Sequence, residues 1–253
     1  MTMIDAATGA VNWLRAWGRV QTEITRAAAA FWLGSTSTEG DRPSARVARE
    51  RYRAQAPGYD LLTLAGEPYR DQTVETLDPK PGEAIVDVGC GTGLNFAAIE
   101  EGIGSGGTLV GVDLCPEMLS AAAQETERHG WRNVTLIAAP ADLVELPVEA
   151  DAALFCGTHD VLRSRAALDN VLHQLRPDAR VVAAGPKWTP PWRLDSVAMN
   201  AYTRRLHEPF VTTFEGFDRP WSHLERLVPD LQVEECFFGG GYIAAGTWPG
   251  ALA

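Results

Sequence analysis

Basic residues are scarce in this sequence: 22 lysines and arginines stand against 33 aspartates and glutamates, a formal charge of -11. Such a surface repels a phosphate backbone, so nucleic acid is not the expected substrate. Cysteine is also scarce. Cys90, Cys115, Cys156 and Cys236 are widely spaced with no CxxC pair. Three fall in or beside apolar strand-like runs, the usage of a reduced cytosolic chain rather than of a disulfide framework or a zinc site. His129, His173, His207 and His223 share no ligand spacing and read as surface or capping residues, so no metal is expected. There is no Walker loop and no Ser-His-Asp order. No window reaches the roughly 18 apolar residues a spanning helix needs. The opening MTMIDAATGAVNWLRAW has an acid at position 5 and no basic stretch before an apolar run, which argues against a secretory signal and for a cytoplasmic protein.

The chain does have length and an apolar supply sufficient for a large core: 253 residues, 45% hydrophobic and 22% charged. Residues 10–33 contain no proline and read as one helix with Trp13, Leu14 and Trp17 on one side. That stripe packs on the main domain or on a partner subunit, which would make a homodimer. The sharper alternative, given Arg15, Arg19 and Arg26, is a membrane-surface helix. Residues 34–43 are polar and glycine-bounded, a linker. The expected division is an N-terminal helix and linker over 1–45 and one domain over 46–253.

From residue 82, β-branched runs at 84–88, 108–112, 134–138, 152–155 and 180–184 alternate with helix-like runs at 94–101, 116–129 and 165–175. Alternation of this length predicts right-handed βαβ units and an α/β, doubly wound, Rossmann-like sheet. The final runs, 232–238 and 242–247, are joined only by Gly239-Gly240-Gly241, too short for a crossover helix. They predict an antiparallel hairpin, so the sheet is mostly parallel with an antiparallel last strand. Between the fifth strand and that hairpin, residues 186–222 break the alternation and bring Trp188, Trp192, Tyr202, Phe210, Phe214, Phe217 and Trp221. Individually these aromatics fit a core; as a group they suggest a lid over an apolar acceptor.

The first strand runs into IVDVGCGTG, residues 85–93. In a doubly wound sheet this turn faces a ligand at the strands' carboxyl ends. Gly89, Gly91 and Gly93 give G-x-G-x-G, with Leu94 where the dinucleotide pattern G-x-G-x-x-G has its third glycine. Asp113, ending the second strand, suits a ribose diol, or else it serves as an acid at a helix start. Asp142, after the third strand, suits an adenine amine, with the Leu143 N–H donating to a ring nitrogen. Alone, such an aspartate is more often a turn residue.

Together VDVGCGTG, VGVDLCPEML, the Asp142 loop and LRPDARVVAAG resemble the successive sequence blocks of the class I S-adenosylmethionine-dependent methyltransferases, over roughly residues 60–185. GWRNVTL and FFGGGYIAAG are similar to a bacterial branch acting on small molecules and lipid headgroups. The resemblance implies S-adenosylmethionine as cofactor. It places the amino-acid end at Asp87 and the Gly89–Cys90–Gly91–Gly93 turn, the ribose at Asp113, the adenine face at Leu114 or Met118, and the adenine edge at Asp142 and Leu143. Tyr59, Tyr69 and Arg70 are candidates for the cofactor carboxylate; Arg70 alternatively pairs with Asp71 or Glu67.

The fourth strand ends at Cys156, beside the expected methyl position, and continues as Gly157-Thr-His-Asp160. His159 is the candidate general base, with Asp160 or Thr158 to orient it. Neighbouring side chains on an extended segment point apart, however, and His159 alternatively caps or shapes the pocket. A thiol or amine acceptor needs only alignment. The expected activity is methyl transfer to a small, apolar or aromatic acceptor. The alternatives are an adenosyl-binding protein with lost or redirected catalysis, and an NAD-dependent oxidoreductase.

Overall fold

A computed structural model describes residues 43–250, with Ala65 known by its backbone alone. The expected helix at 10–33, and with it any dimer or membrane contact it makes, lies outside the described residues. The described chain enters α1 (Ala45–Gln55), where Ser44 Oγ accepts from the Val47 N–H at 3.4 Å as N-cap. Then come α2 (Tyr59–Thr63) and α3 (Glu67–Leu77), linked by single 3-10 turns at Ala56–Gly58 and Leu64–Gly66. Periodicity from residue 82 onward says nothing of these three helices. Among the α1 residues only Ala48 is buried, so there is little apolar stripe to read.

The alternating region gives β1 (Ala84–Val88), α4 (Phe96–Ile103), β2 (Thr108–Asp113), α5 (Pro116–His129), β3 (Val134–Ala138) and β4 (Ala150–Cys156). The chain continues as α6 (His159–Leu162), α7 (Arg165–Leu172), β5 (Leu175–Pro186), α8 (Ser196–His207), β6 (Gln232–Cys236) and β7 (Gly241–Trp248). The seven strands lie in the order β3-β2-β1-β4-β5-β7-β6, with β7 antiparallel to both neighbours and the other pairs parallel. This is the expected doubly wound sheet. The hairpin turn falls at 237–240 rather than on the three glycines, with Phe237 and Phe238 themselves at positive φ of 50° and 56°.

Alternate strand residues feed two cores. Ile85, Leu109, Leu154 and Val182 face α3, α4 and α5 through Leu77, Phe96, Ile99 and Ala122. Val86, Val110, Phe155 and Val181 face the other way, against Leu168, Val171 and the 221–228 segment. Gly111 sits where a side chain has no room: a Cβ there would lie 2.8 Å from the Phe96 ring and 2.9 Å from Leu136.

The 186–222 insertion does not behave as one aromatic lid. Phe217 and Trp221 are buried in the core, whereas Trp192 is 81% exposed. Trp188 stacks on Phe214 at 5.2 Å and tilts onto Phe217 at 4.8 Å. Phe210 turns back to meet Tyr52 and Tyr59. Buried Lys187 fastens the insertion's start to the hairpin, pairing with Glu235 at 2.9 Å and donating to the Trp188 and Gly239 carbonyls.

Candidate cofactor and transfer site

The strand order reverses between β1 and β4, so the crossovers leave in opposite directions and a crevice opens at their carboxyl ends. The β1 side carries the glycine turn, the β4 side Gly157 and Thr158. Gly89, Gly91 and Gly93 have φ of 72°, 56° and 84°. A Cβ at Gly89 would lie 2.4 Å from the Thr158 methyl, and one at Gly93 2.8 Å from Phe96. A Cβ at Gly91 would meet only the Tyr59 ring, at an ordinary contact distance of 3.8 Å. The Gly89 and Cys90 N–H groups donate to the Val112 carbonyl at 2.7 and 3.0 Å, which straps the turn to β2. The Cys90 side chain packs in the core against Gly111, and burial pushes its thiol well up. The Cys90 Sγ also donates to the Gly91 carbonyl at 3.9 Å.

Asp113 joins the turn to α5. Its Oδ2 accepts the Gly91 N–H at 2.9 Å and its Oδ1 the Cys115 N–H at 2.7 Å. Each oxygen keeps a lone pair beside the N–H that it accepts. Burial raises its pKa, against the two N–H bonds that lower it. Asp87 is enclosed at the end of β1. Asn95 Nδ2 donates to its Oδ2 at 3.0 Å, and Oδ1 has no partner. Burial pushes this carboxyl up to about 7, partly offset by Asn95 and reinforced by Asp113.

The helices before β1 cover the turn. Asp60 Oδ1 accepts the Thr92 hydroxyl at 2.6 Å, which holds α2, and Tyr59 with it, over Gly91. Burial raises the Tyr59 hydroxyl pKa, reinforced by Cys156 and Asp113. Arg70 donates to the Thr63 carbonyl at 2.9 Å and makes no ion pair with Asp71 or Glu67. Its charge instead lowers the pKa of Tyr59 and Cys156 and is uncommitted among the described residues. Tyr69 is directed elsewhere: its hydroxyl donates to the Gly185 carbonyl at 3.2 Å and to that of Tyr242, joining α3 to β5 and β7. Cys156 is a neutral thiol, pushed up to about 12 by burial and then by Asp87.

The adenine candidates are less enclosed. Asp142 and Leu143 are both exposed, and the Leu143 N–H already donates to the Pro140 carbonyl at 3.0 Å, a turn like that expected for a lone loop aspartate. Leu114 is half-buried. Met118 is fully buried and presents no open face.

His159 and Asp160 do not form a couple. The His159 ring is buried edge-on to Phe217 at 4.7 Å, and neither nitrogen has a partner. Burial lowers its pKa to about 3, with Arg163 adding to the fall. Asp160 points to the other side, where both oxygens accept the Thr212 N–H, at 3.1 and 3.0 Å. His207, expected at the surface, is also held neutral by burial, near 4.

A depressed histidine pKa means that the unfolded chain takes up a proton below about 6.5 that the folded state refuses, so stability is lost as pH falls toward 3. Between pH 7 and 5, His159→Phe is expected to lose about 2 kcal/mol less unfolding free energy than the parent. Urea titrations at both pH values check this; equal losses would show that His159 is not held neutral.

Four groups at the site were absent from the sequence reading: Tyr52, Asp60, Thr92 and Asn95. Asn95 lies two positions beyond the turn's last glycine, a legible place for a side chain folding back on the strand. Tyr52 and Asp60 precede all of the periodic sequence and carry no such signal.

Residues 85–178 match the family model described as a methyltransferase domain. Over that stretch the chain is similar to methyltransferase domains. The chain is 32% identical over 129 residues to nocamycin O-methyltransferase of Saccharothrix syringae, a match covering 47% of this chain and 43% of that protein. The chain spans about half the length of the curated relatives it matches. Among solved structures, the N-methyltransferase NodS of Bradyrhizobium japonicum, in complex with S-adenosylhomocysteine, superposes with a TM-score of 0.57 at 14% identity, over 80% of this chain and 98% of that one. The [4+2]-cyclase SpnF superposes at 0.58, also at 14% identity, over 85% of this chain and all of that one. Such identities speak for the fold. No helix among the described residues is long and apolar enough to cross a membrane.

Proposed function

We propose that this protein transfers a methyl group from S-adenosylmethionine to a small apolar or aromatic acceptor. The observation that carries the reading is the charge arrangement around the turn. Asp87, buried with one free oxygen, suits an ammonium; Arg70, with no carboxylate partner, suits a carboxylate; Asp113 suits a ribose diol. Those are the ends of an amino-acid-bearing nucleoside. A dinucleotide would instead bring its pyrophosphate to a turn with a buried acid immediately ahead of it, a repulsive pairing that counts against NAD.

When bound, S-adenosylmethionine supplies a methyl group on a positively charged sulfur. The chain's own part is to bind, align and exclude water. Glycines let the backbone approach, Tyr59 covers Gly91, and Thr158 stands against Gly89 at the carboxyl end of β4. The neutral His159 imidazole is a weak base, and Asp160 does not orient it. His159 would hold an acceptor by hydrogen bonding and leave its proton to solvent. Alignment then contributes most of the acceleration, which fits an acceptor already nucleophilic at neutral pH. The same shortage of a strong base favours a second reading, an adenosyl-binding protein with redirected catalysis.

Calorimetry is expected to show S-adenosylhomocysteine binding with one site and no heat from NAD; NAD binding alone would overturn the proposal. Labelled methyl transfer to a pool of aromatic metabolites separates the two readings, because a redirected enzyme binds but transfers nothing. The acidic surface and reduced cysteines support a cytoplasmic protein that leaves nucleic acid alone. A homodimer through residues 10–33 fits the tryptophans there and is tested by sedimentation.

A further inference from the structure

Two strips from opposite ends of the described chain are stitched into one cover above the glycine turn. The Ser44 N–H donates to Thr212 Oγ1 at 3.1 Å, Gln55 Nε2 donates to the Pro209 carbonyl at 2.7 Å, and Arg51 donates to the carbonyls of Glu208, at 3.0 Å, and Val211. Three rings fill the seam: Tyr52 lies 6.2 Å from Tyr59 and 6.1 Å from Phe210, and Phe210 lies 6.0 Å from Tyr59. The α1–α2 strip is tied down to the turn through Asp60 and Thr92. The 208–213 strip is tied down by Asp160, whose two oxygens take the Thr212 N–H beside the end of β4.

We propose that Asp160 is a positioning residue that latches this cover, and that an adenosyl ligand enters and leaves the turn when the latch releases. The inference rests on the reading that the turn holds such a ligand. It is carried by the way the parts are joined. The Tyr59 ring bounds the space above Gly91, in ordinary contact with where a Cβ would stand, so a ligand lying along that backbone is closed in by the ring. The ring sits on α2, which follows α1, and α1 is bonded to the strip that Asp160 holds. A carboxylate accepting a backbone N–H makes a stronger bond than a neutral pair, and the other groups that face Asp160, the Thr212 hydroxyl and the Thr213 N–H, belong to the same strip. Loosening it leaves the cover held on one side only, through Asp60 and Thr92, whether or not ligand is present. Entry and exit then quicken together, whereas loss of a ligand contact quickens exit alone.

Stopped-flow binding of S-adenosylhomocysteine to the full chain tests this. In Asp160→Ala, association and dissociation rates are both expected to rise about tenfold while Kd moves less than about threefold, as when one charge-assisted bond to a gate is removed. Asp160→Asn, which keeps one acceptor oxygen, should fall between. Arg51→Ala, severing α1 from the same strip, should reproduce the pattern. A rise in dissociation alone, or no change in either rate, overturns the latch. Hydrogen exchange reads the latch without ligand: amides of 45–55 and 209–213 are expected to exchange faster in Asp160→Ala, and unchanged exchange also overturns it. A parent protein that binds no S-adenosylhomocysteine would instead sink the reading of the turn, with exchange still deciding the latch.

Discussion

Asp113→Ala is expected to weaken S-adenosylhomocysteine binding at least about a hundredfold, or ~3 kcal/mol, from two charge-assisted hydrogen bonds to a ribose diol. The loss has a second source. The same carboxylate fixes the Gly91 and Cys115 N–H groups, so its removal frees the middle of the glycine turn together with the residue that leads into α5. Asp113→Asn separates the two: one oxygen still accepts an N–H, so the turn holds better while the diol loses part of its partner. The ordering expected from calorimetry is parent, Asn, Ala, with thermal stability falling less than affinity. An alanine variant of parental affinity would show that the ribose does not sit there.

Asp87→Asn should make the protein more stable at pH 8 and less able to bind its ligand. The folded carboxyl titrates near 7 and the unfolded one near 3.8, so the folded state keeps a proton across that window that the unfolded chain releases. Stability therefore falls as pH rises from about 4 to 7, by up to about 4 kcal/mol for a shift of this size. Asparagine preserves the shape and avoids that loss. Urea unfolding at pH 8 and pH 4 is expected to show a gap in favour of the variant at the first and none at the second. A less stable variant at pH 8 would mean that the ionised acid has a partner in the ligand-free protein. An ammonium arriving at the unpartnered oxygen favours the ionised form, which makes the destabilising acid useful. Binding of S-adenosylhomocysteine by the variant should accordingly weaken.

Where local chemistry determines structure, the sequence was readable. β1 and β3 have the expected bounds because β-branched runs end in polar turns, and α5 does because Pro116 opens it and Gly130, at φ 70°, closes it. The antiparallel hairpin followed from a link too short for a helix. The glycine turn, Asp87 and Asp113 are brought together because all three sit at strand ends of one sheet. Side-chain direction was not readable in the same way. Asp160 and His159 are neighbours in sequence and face different elements, and Tyr69 and Arg70 likewise part company, one to the sheet and one to the site. Phe217 and Phe210 belong to one aromatic run, but only tertiary packing sends the first into the core and the second over the turn. α1 was hidden because it is held by its Ser44 cap and by bonds to the 208–212 segment rather than by an apolar stripe.

The cover has a consequence for how the protein is made. Ser44 meets Thr212 across 168 positions of chain, and Tyr52 meets Phe210 across a comparable span. Contacts of that separation form late, because the loop between them must be ordered first. On the ribosome, the glycine turn and its two acids are complete long before residue 208 emerges, while the roof above them waits for residues 208–213. A nascent or truncated polypeptide ending before that strip would display the ligand-binding floor without its closure, so a closed site marks a chain synthesised past residue 213.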